Sequence, residues 1–392
     1  MSAVASALAF LGPLAVLGLV ASGLYTLVPG LAYPLVAAAG VALLRNRAFA
    51  ASPVKFIGRD RLAGFAVFNL FFLLHTLPHL PSLHALEPER TLYVHVLSIG
   101  MYLFALTFGR LALTQAPDAD AGGSFDRTRW MCSVLPLAGL SLLLASQIGQ
   151  LAPAFLRETG EAADIVYILT RRPGGFFNPN MTAAIALIFL FLAVEAPAQG
   201  RPPHTPALVI VLTTFVVVLA QSRTGIIALL AYGFFALPRR SFLIVIVPMA
   251  VAAGLAFVVG LDTGRLVLQV LGRFTGDYSS QLRMELIGHG LAAFMDAPWL
   301  GKGYRFVELT TGQSTHNQVV EILACFGLVG LAVIGLASYL LYRGGSARLL
   351  LVCIAPSFLL SHNFYETASL QAALGLALAV DRARGLSGTD EP

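Results

Sequence analysis

Apolar runs of helical length recur from one end of this chain to the other, and they limit the fold more than any other feature. A run such as residues 318–342, QVVEILACFGLVGLAVIGLASYLLY, meets the roughly 20 residues an α-helix needs to cross a hydrocarbon core. Strands of a membrane barrel would instead alternate polar and apolar positions over segments of about 10 residues. Only 11% of the 392 residues are charged and 57% are hydrophobic, with a mean hydropathy of +0.79. Soluble domains carry about 25% charged residues, so this chain is not one of them. By length the runs amount to about twelve spans. The predicted fold is all-α: a polytopic integral membrane protein of about twelve transmembrane helices, one membrane domain over residues 1–392. The first run, residues 4–25, lacks a basic leader, and Val20-Ala21-Ser22 only loosely resembles a cleavage site, so it reads as a retained span.

Cytoplasmic loops hold an excess of Lys and Arg, and that excess orients the chain. Arg45, Arg47, Lys55, Arg59 and Arg61 follow the second span, Arg110, Arg127 and Arg129 the fourth, Arg201 the sixth and Arg239-Arg240 the eighth. Arg343 and Arg348 follow the tenth, and Arg382 and Arg384 the twelfth. Both termini are therefore expected in the cytoplasm. The net charge of +5 and pI near 9.3 follow from this topology. No basic stripe interleaved with aromatics suggests nucleic acid. Residues 117–124, rich in Ala, Asp and Gly, read as a cytoplasmic linker, and there is no internal repeat. Cys132, Cys325 and Cys353 lie far apart within apolar runs and read as packing residues.

The outer face carries short links and larger loops, and three residues there can do chemistry together. Ser314-Thr315-His316-Asn317-Gln318 opens the tenth span. Thr315 and Gln318 have capping-box spacing, which puts His316 at the first helical position. The partial positive charge there disfavours imidazolium, so the ring stays neutral and able to take a proton near pH 7. Free N–H groups at the same end favour a phosphate or an oxyanion. A histidine that merely caps an interfacial helix fits the same pattern. Glu321, one turn further in, needs a partner or a wet cavity. Gly327, Gly330 and Gly335 read as packing glycines in a continuous span.

Arg283 begins a loop helix in which, at about 100° per residue, it shares a side with Ile287, Leu291 and Phe294, opposite Glu285, His289 and Asp296. A guanidinium on an apolar face needs an anion, either a carboxylate such as Glu321 or a substrate phosphate. Arg223 sits in Gln221-Ser222-Arg223-Thr224-Gly225, a turn too short to lift it off the membrane, where arginine is costly without a partner or function. Two converging guanidinium forks suit a diphosphate. Arg171-Arg172 open a turn-rich lip that ends at Asn180. Its arginines can capture a phosphate or glycan or anchor the loop at the membrane surface. Arg172, Asn180, Arg305 and Asn317 are the substrate-binding candidates. His75 and His79, with His84 and His95 nearby, have helical spacing for a metal. No carboxylate or cysteine completes a motif, so neither metal nor cofactor is expected.

These residues resemble the O-antigen ligase and O-antigen polymerase superfamily of bacterial envelope glycosyltransferases. The resemblance runs through residues 175–180, Ser222-Arg223-Thr224-Gly225, Arg283 and Pro298-Trp299-Leu300-Gly301-Lys302-Gly303-Tyr304. It ends on its most specific pattern, His316-Asn317 followed after nine residues by Gly327-Leu328-Val329-Gly330. It implies a polytopic, glycosyltransferase-C-like helical fold with a core over residues 170–340 and a periplasmic loop over 262–315. It also implies metal-independent transfer of a glycan from an undecaprenyl-diphosphate carrier at the periplasmic face of the inner membrane. The acceptor would be lipid A core for a ligase, or a growing glycan for a polymerase. His316 would be the base, and Arg223 and Arg283 the ligands of the diphosphate. The short stretch between Arg283 and His316 departs from the larger loop of many family ligases. A secondary transporter or flippase would gather its polar residues near the midplane, and a scaffold would leave Arg223 unexplained.

The orientation is checked by cysteine accessibility in a chain freed of its native thiols. Thr311→Cys is expected to react with a membrane-impermeant reagent in intact spheroplasts and Gly345→Cys is not; the reverse would invert the topology.

Overall fold

A computed structural model describes residues 59–76, 133–157, 173–195, 205–237 and 278–342, with single helical positions at 242, 243, 246, 350, 353, 355, 356, 374 and 375. Regular structure among the described residues is helical, with no strand, as apolar runs bound for lipid require. The helices are α1 (Arg59–Thr76), α2 (Leu135–Arg157), α3 (Pro179–Glu195), α4 (Thr205–Ala220), α5 (Arg223–Ala236), α6 (Tyr278–Asp296), α7 (Phe306–Thr311) and α8 (Gln318–Tyr342). Among the described residues one helix is long and apolar enough to cross a membrane, Gln318–Leu340, with 23 residues and a mean hydropathy of 2.5. Shorter apolar helices lie within α1 to α5. The run at 4–25, the linker at 117–124, Cys132 and most of the basic exits lie outside the described residues.

Extensive contacts divide the helices into two groups. In the first, α3 is apolar on every side, and no side chain over residues 183–193 is more than 1% exposed. Such a helix belongs in a core, and α2, α4 and α5 pack around it. Small residues allow the close approach. A Cβ at Gly225 would lie 2.4 Å from that of Ala183, and one at Gly139 2.5 Å from the Phe189 ring. In the second group α8 packs against α1, α6 and α7. Its core is aromatic, with the Phe72 ring 5.0 Å from Tyr304 and 5.9 Å from Phe326 between centroids.

The expectation of one continuous span is corrected in α8. At Gly327 the backbone turns to φ 64°, ψ −162°. In an unbroken helix the Leu328 and Val329 N–H groups would donate to the carbonyls of Ala324 and Cys325. Instead Leu328 N–H donates to the Pro298 carbonyl (2.8 Å) and Val329 N–H to that of Trp299 (3.1 Å). The Ala324 carbonyl accepts from Lys302 N–H (2.8 Å) and the Cys325 carbonyl from Gly303 N–H (3.0 Å). All four groups released by the break are therefore taken up by residues 298–303, which matters because an orphan backbone group in lipid costs several kcal/mol. From α1, His75 Nε2 bonds the Leu300 carbonyl at 2.7 Å, and its ring stands edge-on to Phe326.

This exchange explains two glycines that spacing alone assigns to packing. A Cβ at Gly327 would lie 2.4 Å from the Trp299 carbonyl carbon, and one at Gly301 (φ 71°) 2.3 Å from that of Cys325. Both positions need a left-handed backbone and no side chain. Gly330 keeps the packing role, buried between Phe326 and Phe71 of α1.

Gly301→Ala and Gly327→Ala are expected to lower the unfolding temperature of the detergent-purified protein well beyond Gly312→Ala. A left-handed backbone costs a side chain about 1–2 kcal/mol, and Gly327, at φ 64° and ψ −162°, lies in a region that is essentially glycine-only. Gly312 (φ 77°) faces open space and bears nothing more. Equal losses would show that the close approach is not what holds the break.

Candidate active site

The start of α8 is brought against α6 by a missing side chain. A Cβ at Gly290 would lie 2.6 Å from Val320 and 2.9 Å from Thr315. The face α6 buries there runs through Leu286, Gly290 and Ala293. Leu291 is 43% exposed, so this face is rotated from the one expected through Ile287, Leu291 and Phe294. Arg283, one turn before Leu286, is half-buried at its edge, on the protein side as expected. Ion pairs among the described residues join His289 to Glu285, Lys302 to Asp296 and Arg305 to Glu308, and none involves Arg283. Glu321, its expected carboxylate partner, is engaged elsewhere. Oε2 of Glu321 accepts from the Thr315 N–H (3.1 Å) and Oγ1 (2.9 Å), and its Oε1 accepts from the Cys325 thiol (3.4 Å).

The expected capping box is not the one formed. Asn317 Oδ1 accepts from the N–H groups of Val319 (3.0 Å) and Val320 (3.1 Å), so Asn317 is the cap of α8. His316 therefore lies outside the helix, in the left-handed region at φ 54°. The physical reason is local. Thr315 is fully buried, and its hydroxyl is turned to the Asn317 carbonyl and to Glu321, while the short Asn317 side chain reaches two free N–H groups at once. The half-buried His316 ring is held below its ordinary value of 6.5, first by burial and then by the positive charge of Arg283. The shift is in the direction expected from the sequence, but burial and Arg283 account for it in place of a helix end.

Arg223 is the first residue of α5, half-buried behind its cap Ser222, whose hydroxyl accepts from Gly225 N–H at 3.1 Å. That hydroxyl donates to Asn180 Oδ1 (2.9 Å), and Thr224 bonds the same oxygen (3.3 Å). Asn180 and the Arg223 turn are thus held together in the first helical group, and Arg283, His316 and Asn317 in the second. The lip before α3 is fixed by two residues that sequence reading missed. Gln147 Nε2 donates to the carbonyls of Pro173 and Val216, both at 3.0 Å, and Gln150 bonds both the N–H and the carbonyl of Gly175. The available signal was a pair of glutamines in the largely apolar α2. Arg171, Arg172, His79, His84 and His95 lie outside the described residues. Arg305 donates from Nε and Nη2 to the two carboxylate oxygens of Glu308. Among the described residues no three side chains are grouped to hold a metal ion.

Among the described residues, the non-glycine positions with left-handed backbone are Gln221, Arg305 and His316. Each conformation costs about 1–2 kcal/mol, and such strain clusters at functional sites. One immediately precedes the Ser222-Arg223 turn, and the other two are themselves candidate residues.

The geometry places a half-buried Arg283 and a half-buried, left-handed His316 beside the start of the broken helix α8. Residues 208–335 match the family model described as O-antigen ligase, and this supports membership of the O-antigen ligase and polymerase superfamily, whose members are glycosyltransferase-like enzymes of bacterial membranes. Arg223, Arg283, Arg305, His316 and Asn317 fall inside the match; Arg172 and Asn180 precede it. No curated protein matches the chain.

Histidine titration followed by NMR in detergent checks the electrostatics. Arg283→Gln is expected to raise the His316 pKa, because the positive neighbour is gone, while leaving it below 6.5, because burial remains. Arg283→Lys, which keeps the charge, is expected to leave it lower than Arg283→Gln does.

Proposed function

We propose that this protein transfers a glycan from an undecaprenyl-diphosphate carrier to an acceptor hydroxyl at the periplasmic face of the bacterial inner membrane, with lipid A core as the acceptor. The observation that carries the reading is the pairing, inside the O-antigen ligase segment, of a neutral half-buried His316 with a half-buried Arg283 that has no ion pair among the described residues. His316 takes the proton from the acceptor hydroxyl as its oxygen bonds the anomeric carbon. The bond from that carbon to the diphosphate oxygen breaks, and undecaprenyl diphosphate leaves. Arg283 and Arg223 meet the charge that grows on the leaving group, each able to bind two phosphate oxygens. Asn317 uses its carbonyl oxygen as the cap, which leaves its NH₂ to orient the acceptor. Asn180 and Arg172 contact the donor from the lip, and Arg305 joins them only by releasing Glu308.

A polymerase that extends a glycan repeat uses the same chemistry with the growing chain as acceptor. Transport fits less well. Transporters use broken helices because open backbone carbonyls coordinate ions, whereas the carbonyls opened at Gly327 are filled by residues 298–303.

The test is turnover and donor binding by purified protein in EDTA. His316→Gln and Arg283→Ala are expected to insert normally. Loss of a positioned base costs on the order of a hundred- to ten-thousand-fold in rate, so His316→Gln should bind donor and barely turn over. Arg283→Ala and Arg223→Ala should lose both donor binding and transfer, with Lys a poor substitute. Near-normal turnover by His316→Gln would remove the base, and activity restored only by a divalent ion would remove the metal-free chemistry. Lipid A core accepting the glycan identifies a ligase; lengthening of the carrier-bound chain identifies a polymerase.

A further inference from the structure

We infer that Glu321 is a positioning residue for His316, acting through Thr315. The inference rests on the reading of His316 as the base. His316 occupies a backbone region that costs about 1–2 kcal/mol for a residue with a Cβ and that persists only where the surroundings over-determine it. Both neighbours are pinned. On the far side, Asn317 is fixed as the cap of α8 by its bonds to Val319 and Val320. On the near side, fully buried Thr315 gives its N–H and its hydroxyl to one oxygen of Glu321, at 3.1 and 2.9 Å. Cys325, one turn beyond Glu321, donates to the other oxygen and fixes the carboxyl plane. The Thr315 hydroxyl oxygen also accepts from the Asn317 N–H at 3.3 Å, which ties the two flanks together across the histidine.

Glu321 therefore acts on His316 through the backbone. The charge that bears on the ring comes from Arg283. This predicts what matters at position 321: an acceptor oxygen, with or without a charge. A glutamine carbonyl can accept both Thr315 bonds and turn its NH₂ toward the Cys325 sulfur, a weak acceptor. Leucine has the bulk and no acceptor, so it leaves the buried Thr315 N–H without a partner and frees the histidine backbone to relax.

The experiment compares Glu321→Gln and Glu321→Leu in the full-length protein, measuring kcat, donor affinity and the pH dependence of kcat. A misplacement of about 1 Å costs on the order of a hundred-fold in rate, so Glu321→Leu is expected to lose about that much in kcat with unchanged donor affinity. Glu321→Gln is expected to stay within a few-fold of the parent, with the acid limb of its pH profile superimposed on it. Two results would overturn the inference: a Gln variant as impaired as Leu, which would make the charge itself the requirement, or a Leu variant with full turnover. Should Glu321→Leu fail to insert, Thr315→Val against Thr315→Ser carries the same comparison. Valine should then lose kcat and serine retain it, and equal rates would overturn the inference. The base reading fails separately, on full turnover by His316→Gln with Glu321 intact.

Discussion

Four hydrogen bonds exchanged at Gly327 hold the second group of helices in its arrangement. Two intrahelical bonds of α8 are given up, and residues 298–303 supply a donor or an acceptor for each of the four groups involved. Because backbone groups at that depth have no water to turn to, the loop and the break are conditions of each other. The consequences spread outward. Docking of residues 298–303 fixes where α6 ends and where α7 begins, with Phe306 N–H bonded back to the Gly303 carbonyl. His75 ties the same loop to α1. The segment after α7 then returns to α8 carrying Thr315, His316 and Asn317, so the position of the candidate base follows from a bond exchange about three turns away.

Strain and restraint coincide around that base. His316 and Arg305 both sit in left-handed conformations, one at each end of the stretch that carries α7, and each is flanked by residues that hydrogen bonds hold in place. Burial and Arg283 both disfavour the charged form of the His316 imidazole. The ring is thereby kept in the unprotonated form, the only one that can accept a proton.

Much of this was legible in the sequence. The all-helical character, the polar turn at Ser222-Arg223 and the inward placement of Arg283 follow from apolar run length and the cost of burying a guanidinium, whereas the disfavoured imidazolium of His316 was reached from a helix end that the ring does not occupy. The details went wrong where two local choices compete within a few residues. Thr315 and Gln318 have the spacing of a capping box, but Asn317 caps better, and Glu321 draws Thr315 away. The break at Gly327 was hidden for a different reason. A glycine in an apolar run looks the same whether it admits a neighbouring helix or a neighbouring backbone, and only the partner at residues 298–303 distinguishes them. Arg283 was expected to have either a carboxylate or a substrate as partner, and the choice depended on where Glu321 spent its oxygens.

The interlock also sets how the chain can be cut and recombined. Residues 298–303 and the middle of α8 form one unit although some twenty residues of sequence separate them. A chimera that imported α8 alone would bring a break with no loop shaped to fill it, and a graft of the loop alone would press its backbone against an intact helix. The smallest portable module therefore runs from the end of α6 through α8, and it carries His316 with it.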